Sequence, residues 1–179
     1  MKFINRKFIW LILILAAFSF SLNAQEKDFD DSVLSEKGKQ AYQTLLKVDL
    51  FAVGGIGYGG ETSKGERAFD ILIEEIEADS AFKTLVKNGT LEGGMYGLFG
   101  LKVIDCDCFQ SEFEAYKKEK ISNDKNEEKF SMMAGCSYFE AKNKADKEFV
   151  IDYIISNGFE QMAESKNFKR ITQELKNKQ

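Results

Sequence analysis

The chain has 179 residues and no histidine, so it cannot build a Ser-His-Asp or Cys-His nucleophile or any metal site with a histidine ligand. Its formal net charge is −4, and a negative chain repels a phosphate backbone, which argues against nucleic-acid binding. The composition, with 44% hydrophobic and 30% charged residues, is that of one ordinary globular domain.

The first 24 residues have the pattern of a cleavable secretory signal peptide. Three cations precede the uncharged stretch 8–20, which is short for a membrane span, and residues 22–24 (Leu-Asn-Ala) offer a cleavage site. Loss of those three cations takes the net charge from −4 to −7. We therefore predict a single mature domain, residues 25–179, that is periplasmic or secreted and has no membrane span after cleavage. An uncleaved anchor is the alternative.

The first part of the mature chain predicts two helices separated by a short apolar segment. Ser32 or Ser35 can cap the first helix, and residues 48–53 have the apolar character of a strand. Ser63 and Glu66 match a capping box, in which the glutamate bonds back to the N-cap. The apolar residues of this second helix recur at helical spacing and are Phe69, Leu72, Ile73 and Ile76.

Three further helices are predicted at short spacing. Asn88-Gly89 is a typical C-terminal stop between the first two of them. Connections of a few residues make neighbouring helices antiparallel, so we predict helical hairpins, with a solenoid as the alternative. The candidate N-caps are Asp79 or Ser80, then Thr90, then Asp105 or Asp107.

The helix predicted to begin at Thr90 contains four glycines, each of which costs about 0.5–1 kcal/mol relative to alanine in a helix. A smooth glycine face allows another backbone to approach closely, so we predict close helix packing, with a ligand groove as the alternative. These residues are Gly93, Gly94, Gly97 and Gly100.

The last third of the chain begins with a charged stretch, residues 117–129, which predicts a loop or a frayed helix end. Residues 130–139 predict a strand or an extended segment. A helix over 144–156 is expected to stop at Asn157-Gly158, and a last helix follows over 159–175. The predicted fold class is therefore mainly α, with short antiparallel helical hairpins and one or two short strands. The apolar positions of the last helix are Met162, Phe168 and Ile171.

A glycine-rich stretch occupies residues 54–60. Gly55, Gly57 and Gly60 match the dinucleotide-binding pattern, but three residues intervene before the next helix and no second strand with an acidic tip follows. We therefore expect no cofactor and interpret the stretch as a tight surface loop with positive-φ glycines. The alternative is a binding loop that contacts a peptide or ligand through its amides and Tyr58.

The three cysteines are Cys106, Cys108 and Cys136. In an oxidising compartment the simplest expectation is one disulfide between the 106/108 pair and Cys136. Such a bond closes a loop of about 30 residues and contributes roughly 3–4 kcal/mol. Three unlinked thiols, a Cys-x-Cys redox pair, and a soft-metal site assisted by Asp105 or Asp107 are the alternatives. Because neighbouring carboxylates raise a thiol pKa, a reactive nucleophile is disfavoured, and no metal is predicted.

Three stretches together resemble a group of small exported bacterial proteins for which no activity is established. They are residues 53–69 (VGGIGYGGETSKGERAF), 89–101 (GTLEGGMYGLFGL) and 132–136 (MMAGC). The resemblance extends over residues 50–155, and the Asn-Ala-Gln at the cleavage point is similar to a Bacteroidetes-type export signal. It implies export and transfers no catalytic residues.

These features favour a non-catalytic binding or interaction protein of the cell envelope, whose partner is an envelope protein or a small ligand and not a nucleic acid. One alternative is an enzyme, either a thiol-redox protein that uses Cys106 and Cys108 or a carboxylate-dependent hydrolase. Another is an inhibitor or immunity-type protein that inserts the loop around Tyr58 into the site of another protein.

Overall fold

The computed structural model describes residues 29–122 and 128–177, except the side chain of Leu175. The predicted signal peptide lies outside these residues. The described chain is mainly helical with a two-stranded antiparallel sheet, which confirms the predicted fold class. The helices are α1 (Glu36–Leu46), α2 (Lys64–Leu72), α3 (Ala78–Asn88), α4 (Leu91–Val103), α5 (Phe109–Tyr116), α6 (Lys144–Ile154) and α7 (Glu160–Asn177), and the strands are β1 (Phe130–Ala134) and β2 (Ser137–Ala141).

Three helices begin at N-caps that the sequence predicts. The hydroxyls of Ser35, Ser63 and Thr90 each accept a hydrogen bond from the backbone N–H three residues later, at 3.1, 2.9 and 3.0 Å. Each bond satisfies one of the amides that a helix N-terminus leaves without a partner. The starts of α1, α2 and α4 are therefore fixed by local side-chain chemistry.

The predicted caps of α3 and α5 are wrong. The N-cap of α3 is Glu77 and that of α5 is Cys108, and neither side chain makes a capping hydrogen bond. Asp79 lies inside the first turn of α3, where its charge suits the helix dipole. Asp105 lies before α5 and takes part in the end of α4 instead.

The predicted apolar stripe of α2 is only partly correct. Phe69 and Leu72 are fully buried, whereas Ile76 is 98% exposed. The helix ends at Leu72 and turns follow over residues 73–77, in which Ile73 still packs against the core. The helical period therefore no longer applies at Ile76.

Helix α4 packs closely along α3, as its glycines predict. A methyl group added at Gly97 would lie 2.7 Å from the carbonyl oxygen of Phe82 and 2.9 Å from the backbone nitrogen of Val86. Gly94 lies beside Val86 and Gly100 beside Phe82, so the two helices run antiparallel. A two-residue connection favours this arrangement.

An aromatic cluster fills the centre of the molecule. The ring of Phe99 lies 4.9 Å from that of Phe69 and 5.2 Å from that of Phe159, and the ring of Phe51 lies 4.9 Å from that of Tyr96. All five residues are 2% exposed or less. The cluster joins α2 and α4 to the segment before the glycine-rich stretch and to the turn before α7.

The segment predicted as one extended stretch is a hairpin. Strands β1 and β2 pair in register from Phe130 with Ala141 to Ala134 with Ser137, so Gly135-Cys136 forms the turn. Gly135 has a φ of 57°, a conformation that glycine adopts without cost.

The predicted strand over residues 48–53 is reduced to a single bridge. The Phe51 N–H donates to Ser131 O and the Met133 N–H donates to Phe51 O, each at 2.9 Å. The hairpin is thereby attached to the segment that leads into the glycine-rich stretch.

The predicted helix stop at Asn157-Gly158 is wrong. The chain passes through a wider helical turn over Ile155–Phe159 and enters α7 directly. The buried ring of Phe159 holds this turn in the aromatic cluster, which outweighs the local preference for a stop. The predicted apolar face of α7 is partly wrong: Met162 packs against the core, but Phe168 is 72% exposed and Ile171 is also exposed.

Candidate functional site

The stretch Gly54–Gly60, here called the glycine loop, is a small ordered turn at the surface. Ile56 and Glu61 exchange two backbone hydrogen bonds of 2.9 and 3.0 Å across it. Gly54, Gly57 and Gly60 have φ values of 92°, 67° and 61°, which confirms the predicted positive-φ positions.

Tyr58 stands at the tip of the glycine loop and is fully exposed. A side chain at Gly55 would collide with the backbone of Gly60, its first atom lying 3.0 Å from the Gly60 Cα. The predicted binding-loop residues Gly55, Gly57, Tyr58 and Gly60 therefore share one turn, in which the glycines set the backbone and the tyrosine projects from it.

The glycine loop contacts the turn of the β1–β2 hairpin. The Gly57 N–H donates to Gly135 O at 2.9 Å. Cys136, the residue after Gly135, is a free and exposed cysteine. The sequence gives no sign of this contact, because it joins two turns that are distant along the chain.

A buried ion cluster holds the base of the glycine loop. Oε2 of Glu66 accepts a hydrogen bond from the Gly54 N–H at 3.0 Å, and Oε1 lies 2.6 Å from Lys166 Nζ. The same ammonium lies 2.7 Å from Asp70 Oδ1. The Glu66 carboxylate therefore does not complete the predicted capping box, because it is committed to the loop and to α7.

The charge state of Lys166 follows from these contacts. Burial lowers the pKa of its ammonium, but the hydrogen bonds and charges of Asp70 and Glu66 outweigh burial, so the pKa lies above its ordinary value. The lysine is therefore cationic and compensates the buried carboxylate of Glu66.

A second polar contact fixes the segment before the loop. The Tyr96 hydroxyl donates to Ala52 O at 2.6 Å and accepts from the Ala52 N–H at 3.0 Å, and burial raises the pKa of Tyr96 to about 12. The Ser63 hydroxyl donates to the same carbonyl at 3.1 Å and accepts the capping bond from the Glu66 N–H. These hydroxyls are structural anchors, since their donors and acceptors are already engaged.

Glu92 connects α4 to the hairpin, a role that the sequence does not indicate. Its Oε1 accepts a hydrogen bond from the Ser131 N–H at 2.6 Å, and its side chain is buried. Burial raises the pKa of this carboxyl above its ordinary value. Through β1 it helps to position the hairpin turn that contacts the glycine loop.

The expected disulfide to Cys136 is wrong. Cys106 and Cys108 are bonded to each other, with their Cα atoms 5.1 Å apart. This separation lies within the usual disulfide range, whereas Cys136 lies in the hairpin turn beside the glycine loop. The three cysteines therefore form a local bridge and a separate exposed thiol.

The bridge lies at the corner between α4 and α5. Asp105 has a φ of 56°, and the Cys106 N–H donates to Leu101 O at 2.9 Å. With the bond from the Asp105 N–H to Lys102 O, this is a Schellman motif, in which aspartate occupies the place usual for glycine. The motif turns the chain so that Cys108 can precede α5.

Two surface grooves lie away from the glycine loop. One, of about 610 Å³, lies against α3 and α5, and the other, of about 600 Å³, lies between α1 and the start of α2. Neither is lined by Tyr58 or Cys136. Among the described residues, no group of three or more His, Cys, Asp or Glu side chains is placed to hold a metal ion.

No protein-family model, curated protein or solved structure matches this chain. The resemblance to exported bacterial proteins therefore stays a prediction. Within residues 29–122 and 128–177, no helix has the length and apolar character of a membrane span. The chain is a mainly helical protein whose glycine loop is fixed by hydrogen bonds.

Proposed function

We propose that this chain is an exported, non-catalytic binding protein of the cell envelope, and that the glycine loop contacts its partner. The observation that carries the proposal is the full exposure of Tyr58 on a loop with a fixed backbone. Hydrogen bonds fix this backbone at Gly54, between Ile56 and Glu61, and at Gly57. A connection between secondary-structure elements needs neither feature.

The rigidity of the loop supports a binding role. Hydrogen bonds from Gly54 and Gly57 fix its backbone, so little conformational entropy is lost when a partner orders it. Tyrosine is enriched at interface hot spots because its ring buries a large area and its hydroxyl can form hydrogen bonds.

The shape of the loop indicates the kind of partner. Glycines flank Tyr58, so both faces of its ring are accessible, and the ring protrudes from the surface. A protruding ring buries most area in a concave pocket, and we therefore propose a protein partner with such a pocket. The inhibitor or immunity-type alternative is the case in which that pocket is a catalytic cleft.

Export is the second part of the proposal, and it is supported by the residue pattern of positions 1–24. Fractionation of the producing cell, with mass spectrometry of the recovered N-terminus, tests it. A chain that begins at Gln25 in the envelope or medium supports export. An unprocessed chain in the cytosol contradicts it.

The binding role is tested with purified mature protein carrying a photo-crosslinker next to the loop. Wild type, Tyr58→Ala and Tyr153→Ala are compared for capture of an envelope protein, followed by measurement of Kd with the purified partner. Tyr153 is a matched control, because it is a 60% exposed tyrosine on α6 outside the loop.

Loss of an interface hot spot costs about 2 kcal/mol or more of binding free energy. Tyr58→Ala is therefore expected to raise the Kd by about thirtyfold or more, while Tyr153→Ala leaves the Kd unchanged. A partner that is captured equally well by all three proteins contradicts the assignment of the loop.

A thiol-redox function is the second candidate, and the pairing of Cys106 with Cys108 favours it. In this case the disulfide would exchange with a small dithiol, and the reduced protein would be reoxidised by a disulfide oxidant. Thiol titration across a series of glutathione ratios tests this. The disulfide of a redox protein opens and closes at glutathione ratios within the redox range of the cell envelope, whereas a structural disulfide stays closed until strong reductant is added.

A further inference from the structure

The last helix is attached to the glycine loop by one buried contact. Lys166, in the second turn of α7, reaches Glu66 on α2, and the other oxygen of that carboxylate accepts the Gly54 N–H. The two side chains are 11% and 5% exposed. Two successive contacts, from Lys166 to Glu66 and from Glu66 to the Gly54 N–H, therefore connect α7 to the backbone of the loop.

We propose that Lys166 is a positioning residue for the glycine loop: by compensating the buried charge of Glu66, it keeps that carboxylate on the Gly54 amide, so that docking of α7 sets the conformation of the loop. This inference rests on the proposed function only in treating the loop as a binding surface. The coupling between α7 and the loop is a property of the chain alone.

The physical reason is the cost of a buried charge. A carboxylate that loses its cation in a buried site either takes up a proton or turns towards water. Both changes weaken the bond from the Gly54 N–H, because a charged acceptor binds an amide about twice as strongly as a neutral one. Asp70 cannot replace Lys166, since it is also an acid.

The apolar contacts of α7 with the core lie in its first turn, where Met162 packs against the core, so Lys166 is the buried contact further along the helix. Ala163 is buried and Lys102 of α4 pairs with Glu160 at 3.5 Å, but the latter is an exposed pair of little energetic value. Among the described residues, the side chain of Arg170 bonds to Asn167 and Glu174, both within α7 itself. The middle of the helix is therefore held mainly by the ion cluster.

Amide hydrogen exchange of the full mature chain tests the coupling without any partner. Lys166→Met keeps most of the apolar stem and removes the charge, and Lys169→Met is the control, an exposed lysine on the same helix with no ion pair to a described residue. In Lys166→Met the amides of Gly54–Glu61 are expected to exchange about tenfold faster or more, while those of α4 keep their wild-type rates. Lys169→Met is expected to behave as wild type.

A second variant separates loss of charge compensation from loss of packing. In Lys166→Met with Glu66→Gln, the neutral amide needs no cation and its oxygen can still accept the Gly54 N–H. Protection of the loop is therefore expected to recover towards wild type. If Lys166→Met does not fold, recovery of folding in the double variant supports the proposal in the same way.

The proposal is overturned if Lys166→Met leaves loop exchange at the wild-type rate, or if the double variant behaves no better than the single one. These results differ from failure of the proposed function. A protein whose loop exchange responds as expected, but whose Tyr58→Ala variant binds every captured partner normally, keeps the coupling and loses the binding role.

Discussion

Replacing Gly97 with alanine is expected to destabilise the protein, although the same change in an open helix stabilises it. The added methyl would lie 2.7 Å from Phe82 O and 2.9 Å from both Val86 N and Val86 Cγ2. Two of these atoms belong to the backbone of α3 and cannot move without shifting the helix. Overpacking of this kind costs about 1–3 kcal/mol, and the alanine returns at most about 1 kcal/mol of helix propensity.

With a mid-range overpacking cost of about 2 kcal/mol and a propensity gain of about 0.5–1 kcal/mol, the expected net loss for Gly97→Ala is about 1–1.5 kcal/mol in the free energy of unfolding, which corresponds to roughly 2–6 °C in Tm for a domain of this size. Gly158→Ala is the matched control. Gly158 lies in the helical turn before α7, its φ is not positive, and the nearest atom to the added methyl is Met162 Cε at 3.9 Å. We expect this variant to gain about 0.5–1 kcal/mol.

Urea unfolding followed by circular dichroism measures both free energies, and equal slopes confirm that the unfolded states are comparable. Opposite signs for the two variants support the contact between α3 and α4. A Gly97→Ala variant as stable as wild type would refute the reasoning, because the glycine would then have no packing role.

Three further predictions follow from the corner between α4 and α5 and from Glu92. A bridge that closes only three residues contributes about 1.6 kcal/mol by chain entropy, so the double variant Cys106→Ser, Cys108→Ser is expected to lose about that much free energy of unfolding in urea. A loss of about 3.7 kcal/mol would instead indicate a disulfide that closes the long loop to Cys136. Asp105→Gly is expected to raise the unfolding free energy by about 0.5–1 kcal/mol, because glycine adopts the left-handed conformation without cost; a loss would contradict the Schellman motif. Because burial raises the pKa of Glu92, its contribution to stability is complete below the ordinary carboxyl pKa and is lost as pH rises through the folded value. Glu92→Gln, which keeps the acceptor for Ser131, is therefore expected to gain stability relative to wild type as pH increases from about 4 to 7, and a constant difference across this range would contradict the assignment.

The parts of the fold that the sequence predicts correctly depend on local chemistry. Ser35, Ser63 and Thr90 cap helices because their hydroxyls bond to amides three residues away, an interaction that sequence spacing reveals directly. The glycine face of α4 is predictable for a similar reason, since four glycines in one helix need a close neighbour to offset their cost.

The errors arise where a tertiary contact overrides a local preference. Asn157-Gly158 has the residues of a helix stop, but the burial of Phe159 in the aromatic cluster keeps the chain helical. Ile76 fits the spacing of α2, but the helix has already ended. Neither the depth of a side chain nor the exact end of a helix is contained in the periodicity alone.

The candidate site shows the same division. The residues of the glycine loop and their positive φ values are predictable from composition, because such backbone positions favour glycine. The partners of the loop are not predictable, since Gly135, Glu66 and Lys166 approach it only after folding. The predicted pairing with Cys136 is wrong for the same reason, because the distance between two turns of the folded chain decides which cysteines can bond.

The hydrogen bonds around the glycine loop explain why its backbone has one fixed conformation. Fixing the backbone of a residue costs about 1–2 kcal/mol in entropy, and a surface connection can avoid that cost by staying mobile. Here three sets of hydrogen bonds oppose it: at Gly54, between Ile56 and Glu61, and at Gly57. None of these bonds buries Tyr58, so the core gains nothing from the ring that they present. A loop with a fixed backbone and an exposed tyrosine is what a pre-organised contact surface requires, and for this reason we propose that a partner contacts the loop rather than either groove.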